Sequence, residues 1–334
     1  MLRSYVSRLR ALRSPDAALA GRGSGYVLSV DAGGIDAVQF KWGVSMAYTL
    51  PSDADQRPVA IDGAGTLGRR IAAVYAAAGS DVRIFDISAG QCQAARGYVE
   101  AHIGETQQIL GLHPERAGRV EVAGRLQDAV AGAWMVIEAV PENAGLKTGV
   151  FGELDRLAEA DAILASNSSS LPSSQMISKV QRPERVLNTH YYQPPDLNCV
   201  ELMSCGRTDP GIIDALVARM PRYGLVPFHV RRESDGFIFN RIWAAIKREC
   251  LMVVEEGVAD AEDVDEMWKI FTRPGIPPFR LMDRVGLDVV LAIEEHYASV
   301  RPGIPEGPRK LLRSYIEQGR LGVKSGRGFY DEPN

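Results

Sequence analysis

The sequence predicts an α/β protein, a doubly wound parallel sheet followed by a smaller all-α domain. Three observations carry that prediction. From Pro58 onward, short apolar runs of strand length alternate with longer amphipathic runs of helical period. A glycine-rich turn separates the first strand-like run from the first helix. Beyond about Ser234 the strand-like runs stop and only long amphipathic runs remain. Alternation at this density implies parallel strands whose connecting helices cover both faces of the sheet.

The elements follow in order. "VAI", "DGAGTLG", "RRIAAVYAAAG" and "DVRIFDIS" make a strand, a turn, a helix and a strand. Helical "GQCQAARGYVEAHIGETQQIL", strand "VEVAG", helical "LQDAVAG", strand "WMVIEAV", helical "LKTGVFGELDRLAEA" and strand "AILASNSS" continue the alternation, with "RVLNTHYY" and "NCVELMSC" as later strands. "GFIFNRIWAAIKRECLMVVEEG", "PPFRLMDRVGLDVVLAIEEHY" and "EGPRKLLRSYIEQG" are helical. The boundary falls near Arg232. The expected organisation is a leader or extension over residues 1–56, poorly ordered, a first domain over 57–232, and an all-helical domain for substrate and self-association over 233–334.

Composition narrows the class. With 334 residues, 46% hydrophobic, the chain is long enough for two packed domains, which excludes a disordered or small disulfide-stapled protein. A formal net charge of -4 offers no basic field, so nucleic acid is not an expected partner. Cys92, Cys199, Cys205 and Cys250 form no C-x-x-C pair, so no metal site or disulfide framework is expected. No apolar run approaches the length that spans a bilayer, and no membrane partner is expected.

The amino-terminal "MLRSYVSRLRALRS" sets Leu2, Val6, Leu9 and Leu12 near helical spacing among arginines and contains no acid, the pattern of an organelle presequence. A disordered basic leader and an extension ahead of a natural start at Met46 are the alternatives. The extension is preferred, because "GRGSGYVLSVDAGG" holds too much glycine for a helix and has no evident partner strand. The expected location is cytoplasmic, or mitochondrial if residues 1–45 act as a presequence.

Gly63, Gly65 and Gly68 form G-x-G-x-x-G, a weak signal by itself. Here it follows a strand and opens a helix, and Asp86 closes the next strand 18 residues after Gly68. Gly63 permits the tight turn, Gly65 lets the backbone approach a pyrophosphate, and Gly68 lets helix and strand pack closely. Thr66 and Leu67 complete the loop, whose helix-end N–H groups bind phosphate. This is a Rossmann-type dinucleotide site, and Asp86 selects NAD over NADP, because a carboxylate accepts from a 2′-hydroxyl and repels a 2′-phosphate. Asp62 fits badly just before Gly63. A carboxylate there costs binding by like-charge repulsion unless it is turned away or paired, so Asp62→Ile is expected to tighten NADH binding.

"LASNSSSLPSS" leaves the carboxyl end of a parallel strand, the edge where open α/β sheets bind ligands. His190, Glu201 and Asn240 follow in that order. These residues, with the "GFIFNR" helix start and the "VKSGRGFYD" ending, make the chain resemble the L-3-hydroxyacyl-CoA dehydrogenase family over roughly residues 57–331. Family members carry a similar S-N-x-S-S loop, an H-F-F-N-P segment, a V-E strand, a G-F-x-x-N-R helix start and a K-x-G-x-G-F-Y ending.

The resemblance implies NAD-dependent interconversion of 3-hydroxyacyl-CoA and 3-oxoacyl-CoA. It implies His190 as general base and Glu201 as its orienting partner, with Ser169 and Asn240 as polar contacts to the substrate. Glu142 and Lys147 of "PENAGLK" resemble residues that line the nicotinamide side of the cofactor. The chemistry agrees: oxidising a secondary alcohol needs a base of near-neutral pKa at the hydroxyl and a carboxylate that fixes the imidazole tautomer. Ser168 and Ser169 are neighbours, and only the family's 21-residue spacing to His190 selects Ser169.

Two positions depart from the family pattern. Gln193 stands where Asn is usual, which places its amide contact to the cofactor one methylene farther out. CoA-using relatives tend to carry lysine on the helix after the second strand, whereas residues 87–115 contain only Arg96. A free or carrier-bound hydroxy acid is therefore the alternative substrate, and a silent NAD-binding relative is the alternative outside enzymology. Abundant apolar surface in the helical domain, and the resemblance itself, imply a homodimer.

Overall fold

A computed structural model of the chain describes residues 17–22, 25–30, 48–272 and 277–331. The chain divides into two units, residues 1–48 and 49–334. In the first, β1 (Ala17–Arg22) pairs antiparallel with β2 (Gly25–Val30), Ala17 opposite Val30. The glycine-rich segment therefore has a partner strand, where the sequence suggested none. Residues 1–14, read as a presequence or a basic leader, lie outside the described residues.

The second unit begins earlier than the expected boundary at 57. Ala54 is buried, and Arg57 donates to the carbonyl oxygens of Gly132 and Ala133 and to both oxygens of Asp161. The stretch that follows comprises β3 (Val59–Asp62), α1 (Thr66–Ala77), β4 (Val82–Phe85), α2 (Ala89–Leu110), β5 (Val120–Val122), α3 (Leu126–Val130), β6 (Met135–Glu138), α4 (Ala144–Leu157) and β7 (Ile163–Ser166). It continues through β8 (Val186–Gln193), β9 (Leu197–Ser204), α5 (Pro210–Arg219) and β10 (Val226–Val230).

One sheet runs in the order β10-β9-β8-β7-β6-β3-β4-β5. From β3 the chain builds outward through β4 and β5, then returns to place β6, β7 and β8 on the other side. The switch between β3 and β6 opens a crevice beyond their carboxyl ends, where such sheets bind ligands. β3, β6 and β7 are buried at every position, as strands covered on both faces must be.

The sheet is doubly wound and largely parallel, as expected, with one antiparallel pair towards its edge. Strands β3 to β8 run together, but β9 is antiparallel to β8, and β10 follows β9. Residues 194–196 are too few for the crossover that a parallel neighbour needs, so β8 and β9 close as a hairpin. β10 was not evident in the sequence because Pro227 interrupts its run. Pro227 is tolerated because β10 forms the sheet edge.

Helices follow: α6 (Phe239–Glu255), α7 (Ala261–Thr272), α8 (Pro278–Val285), α9 (Leu287–Val300) and α10 (Gly307–Glu317). The run "PPFRLMDRVGLDVVLAIEEHY" forms two helices, broken at Gly286, whose φ of 103° favours glycine. A second core gathers Cys250, Leu251, Phe279, Met282, Leu287, Val290, Leu312 and Phe329. Asp283 fastens the carboxyl-terminal motif by accepting the N–H groups of Phe329 and Tyr330 at 2.8 and 3.1 Å. A Cβ at Gly328 would sit 1.9 Å from that carboxylate, so the glycine is required there. Phe239, Ile242, Met267, Ile270 and Phe271 remain exposed on this helical part.

Candidate active site

The glycine turn is built by close backbone approach. Gly63 has φ 112°, and a Cβ on it would meet the Ala139 carbonyl at 2.6 Å, so the end of β3 passes directly against the end of β6. A Cβ on Gly68 would sit 1.8 Å from the Gly63 oxygen, which explains how α1 packs onto the turn. Gly65 has nothing within 4 Å of the same position, leaving open space over the backbone. No side chain caps α1 and no acid lies in its first turn, so its leading N–H groups are available to an anion.

Thr66 is exposed and Leu67 half-buried beside this opening. Asp86 braces the floor: one carboxylate oxygen accepts the Ala64 N–H at 2.8 Å, and the other accepts the Ser88 N–H at 2.9 Å. An open glycine backbone, a free helix start and an acid beside them fit the pyrophosphate and ribose of NAD.

Below the turn lies a cleft of about 270 Å³, walled by Leu67, Val140, Glu142, Lys147, Ser169 and His190. That is close to the lower end of the ~300–1,000 Å³ range of ligand pockets, a size for reacting groups rather than for a whole dinucleotide.

His190 sits on β8 and Glu201 on β9, directly opposite in register. The antiparallel hairpin that makes the sheet mixed is what brings them together. His190 Nδ1 lies 2.9 Å from Glu201 Oε2, and both residues are almost fully buried. Glu201 Oε2 also accepts the Tyr192 hydroxyl at 2.7 Å, while Oε1 accepts the Ile238 and Phe239 N–H groups at 2.8 and 3.0 Å. Burial would raise this carboxyl, but these four donors outweigh it and hold it below the ordinary carboxylate range. Tyr192 and Phe237 flank the imidazole, with ring centroids at 4.4 and 5.2 Å.

The opposite wall is a charged network. Lys147 Nζ donates to Glu138 Oε1 at 2.6 Å and to the Val140 carbonyl at 3.1 Å, and lies 3.3 Å from Glu142 Oε2. Burial raises the Glu138 carboxyl above its usual range despite Lys147. Burial also presses Glu142 upward, but the Ser168 hydroxyl, Lys147 and Ser170 bring it below the usual range. Glu142 Oε1 accepts from Ser168 Oγ at 2.5 Å and Ser170 Oγ at 2.7 Å, tying the serine loop to the start of α4.

Ser169 is the exposed member of that loop, and its carbonyl accepts from Asn240 Nδ2 at 3.4 Å. Sequence reasoning missed Glu138, Ser166 and Asn167. Glu138 carried a usable signal, an acid closing an apolar strand as Asp86 follows its own.

Two predicted positions behave differently. Gln193 is exposed at the far end of β8, past an irregularity in its pairing with β9, and does not wall the cleft. Asp62 is 4% exposed with Oδ2 unpartnered, and burial, followed by Glu138 and Asp86, pushes its carboxyl up to about 7.

Two domain families match consecutively: "3-hydroxyacyl-CoA dehydrogenase, NAD binding domain" over residues 58–234, and "3-hydroxyacyl-CoA dehydrogenase, C-terminal domain" over residues 236–332. The chain is 36% identical over 290 residues to the 3-hydroxybutyryl-CoA dehydrogenase of Mycobacterium tuberculosis, a match covering 84% of this chain and 99% of that protein. It is 48% identical over 152 residues to the 3-hydroxyacyl-CoA dehydrogenase-like protein LAM1 of Cochliobolus heterostrophus, a match covering 45% of this chain and 32% of that one. It is 31% identical to the 5-formyl-3-hydroxy-2-methylpyridine 4-carboxylate 5-dehydrogenase of Mesorhizobium japonicum, covering 82% and 90%. Among solved structures, (S)-3-hydroxybutyryl-CoA dehydrogenase PaaH1 from Ralstonia eutropha superposes with a TM-score of 0.74 at 31% identity, covering 82% of this chain and 98% of that one.

Proposed function

This chain belongs to the 3-hydroxyacyl-CoA dehydrogenase family, and from that premise we propose that it interconverts an L-3-hydroxyacyl-CoA and the 3-oxoacyl-CoA, with His190 as general base. It is an NAD-dependent oxidoreductase. The observation that carries the proposal is the buried His190–Glu201 pair at the wall of the cleft below the glycine turn.

With Nδ1–H directed at Glu201, the imidazole keeps its Nε2 lone pair for the substrate hydroxyl. His190 takes the hydroxyl proton as the carbon gives up its hydride. NAD, when bound, supplies the hydride acceptor. Glu201 stays ionised at neutral pH and stabilises the imidazolium that forms. Its two bonds from the start of α6 prevent it from turning away. Ser169 and Asn240 contact the reacting part of the substrate, and Glu142 and Lys147 hold the nicotinamide side. A base so placed contributes about 10²–10⁴ in rate.

The exposed Phe239, Ile242, Met267, Ile270 and Phe271 support a homodimer formed through the helical part. Among the described residues, no helix is long and apolar enough to cross a membrane.

A second reading is favoured by one observation. α2 carries no lysine, and its one arginine, Arg96, is paired with Glu100 at 2.8 Å. That helix offers nothing to a CoA phosphate and supports a free or carrier-bound hydroxy acid. The deciding experiment is NADH oxidation with acetoacetyl-CoA beside free acetoacetate and beside His190→Gln protein. Turnover of the thioester, lost in the variant, is the expected result. Turnover of the free acid alone would transfer the assignment to the second reading.

A further inference from the structure

Parallel pairing of β3 with β6 sets Asp62 opposite Glu138. Each acid ends a strand that is buried along its whole length, and each is itself removed from water. Glu138 has hydrogen-bond partners, although burial still holds its carboxyl above the usual range. It accepts from Lys147, from the Val140 N–H and from the Ser166 hydroxyl at 2.6, 2.8 and 2.7 Å.

Asp62 keeps a buried oxygen without a hydrogen-bond partner. The charges that act on it most strongly are Glu138 from β6, Asp86 from the loop after β4, and Glu153 and Lys147 from α4. Three acids thus oppose one ammonium, which is already committed to Glu138, the Val140 carbonyl and Glu142. The glycine turn begins at the next residue. A pyrophosphate seated on it adds negative charge beside a carboxyl that water does not screen, and like charge in such surroundings favours the neutral acid.

We propose that binding of the dinucleotide at the glycine turn draws a proton onto Asp62, so that cofactor affinity weakens as the pH rises. The proposal rests on NAD occupying that turn. In the free protein the Asp62 carboxyl is already pushed up to about 7, chiefly by burial, so near neutrality it has a proton to gain. The sign follows from linkage: a ligand that prefers the protonated form binds with constant affinity on the acid side and loses affinity above the free carboxyl's midpoint. The loss approaches a limit of about tenfold per pH unit.

The test is calorimetric titration of NADH into the full-length protein from about pH 6 to about pH 8.5, repeated in two buffers of contrasting ionisation enthalpy. The expected result is uptake of up to one proton per NADH in the alkaline half of the range, with Kd rising several-fold per unit. Asp62→Asn and Asp62→Ile are expected to abolish the uptake, flatten the Kd and bind more tightly than the unmodified protein at the alkaline end. A pH-independent Kd with identical heats in both buffers overturns the proposal and leaves the NAD site standing. So does Asp62→Asn protein that keeps the full slope. Failure of NADH to bind at any pH withdraws the cofactor reading of the turn and the proposal with it.

Discussion

Glu201 and Asp62 are almost equally buried, at 3% and 4% exposure, yet they titrate in opposite directions. Glu201 stands where β9 meets the start of α6 and is surrounded by donors: an imidazole, a phenol and two N–H groups. Asp62 stands where β3 meets a turn whose first two N–H groups are already taken, Gly63 by the Phe85 carbonyl and Ala64 by Asp86. Removal from water sets the cost of the charge at both positions, and the donors in reach decide whether it is met. One carboxyl is held ionised beside the proposed base, and the other is left to compete with its neighbours for protons.

The largest expected effect lies on the satisfied side. His190→Gln removes the proposed base and is expected to lower kcat by about 10²–10⁴, measured as NADH oxidation. Glu201→Gln keeps the shape but loses the charge that fixes the imidazole tautomer, and a loss of at least roughly tenfold is expected. Full activity in Glu201→Gln protein would show that the donors around this carboxylate serve the fold alone.

Lys147→Met moves the unsatisfied condition to the other wall. It leaves Glu138 buried without its counter-charge, and a destabilisation of about 3–5 kcal/mol is expected in denaturant unfolding. Asp62→Asn acts in the opposite direction. The Asp62 carboxyl titrates near 4 in the unfolded chain and at about 7 in the fold. The folded state therefore holds the extra proton between those values. Stability from this group is complete below the unfolded value, and it is lost as pH rises through the folded one. Asn lacks this loss, so the variant is expected to gain roughly 2–4 kcal/mol at pH 8 and little below pH 4. An equal gain at both pH values would mean that Asp62 is not the group responsible.

The sequence made some of this legible and concealed the rest for physical reasons. Gly63, Gly65, Gly68 and Asp86 were readable because the turn is local, its parts lying on one β-turn-α-β stretch. His190 and Glu201 were readable only through their order along the chain. The hairpin that places them opposite each other follows from the short connection at 194–196 and was not drawn from it. Asp62 was visible as a misfit, but the residues that make it one were not. Glu138 becomes its neighbour only when β6 returns to pair with β3, a contact that no local pattern encodes. β10 escaped because a proline, which usually ends a strand, is harmless on an edge.

The smallest effect is expected at Gln193, which tests whether the site extends past the end of β8. The family pattern assigns this position an amide contact to the cofactor. The side chain is instead exposed, beyond the irregular pairing between Tyr191 and Gln193 and opposite Leu197 at the head of the hairpin. An exposed amide exchanges its bonds with water at little net cost, so Gln193→Ala should change NADH affinity by no more than about twofold, and stability by no more than about 0.5 kcal/mol. A tenfold loss of affinity with unchanged stability would mean that the hairpin turns inward when the cofactor binds. The contrast between a finished base site and an unfinished acid pair would then describe only the free protein.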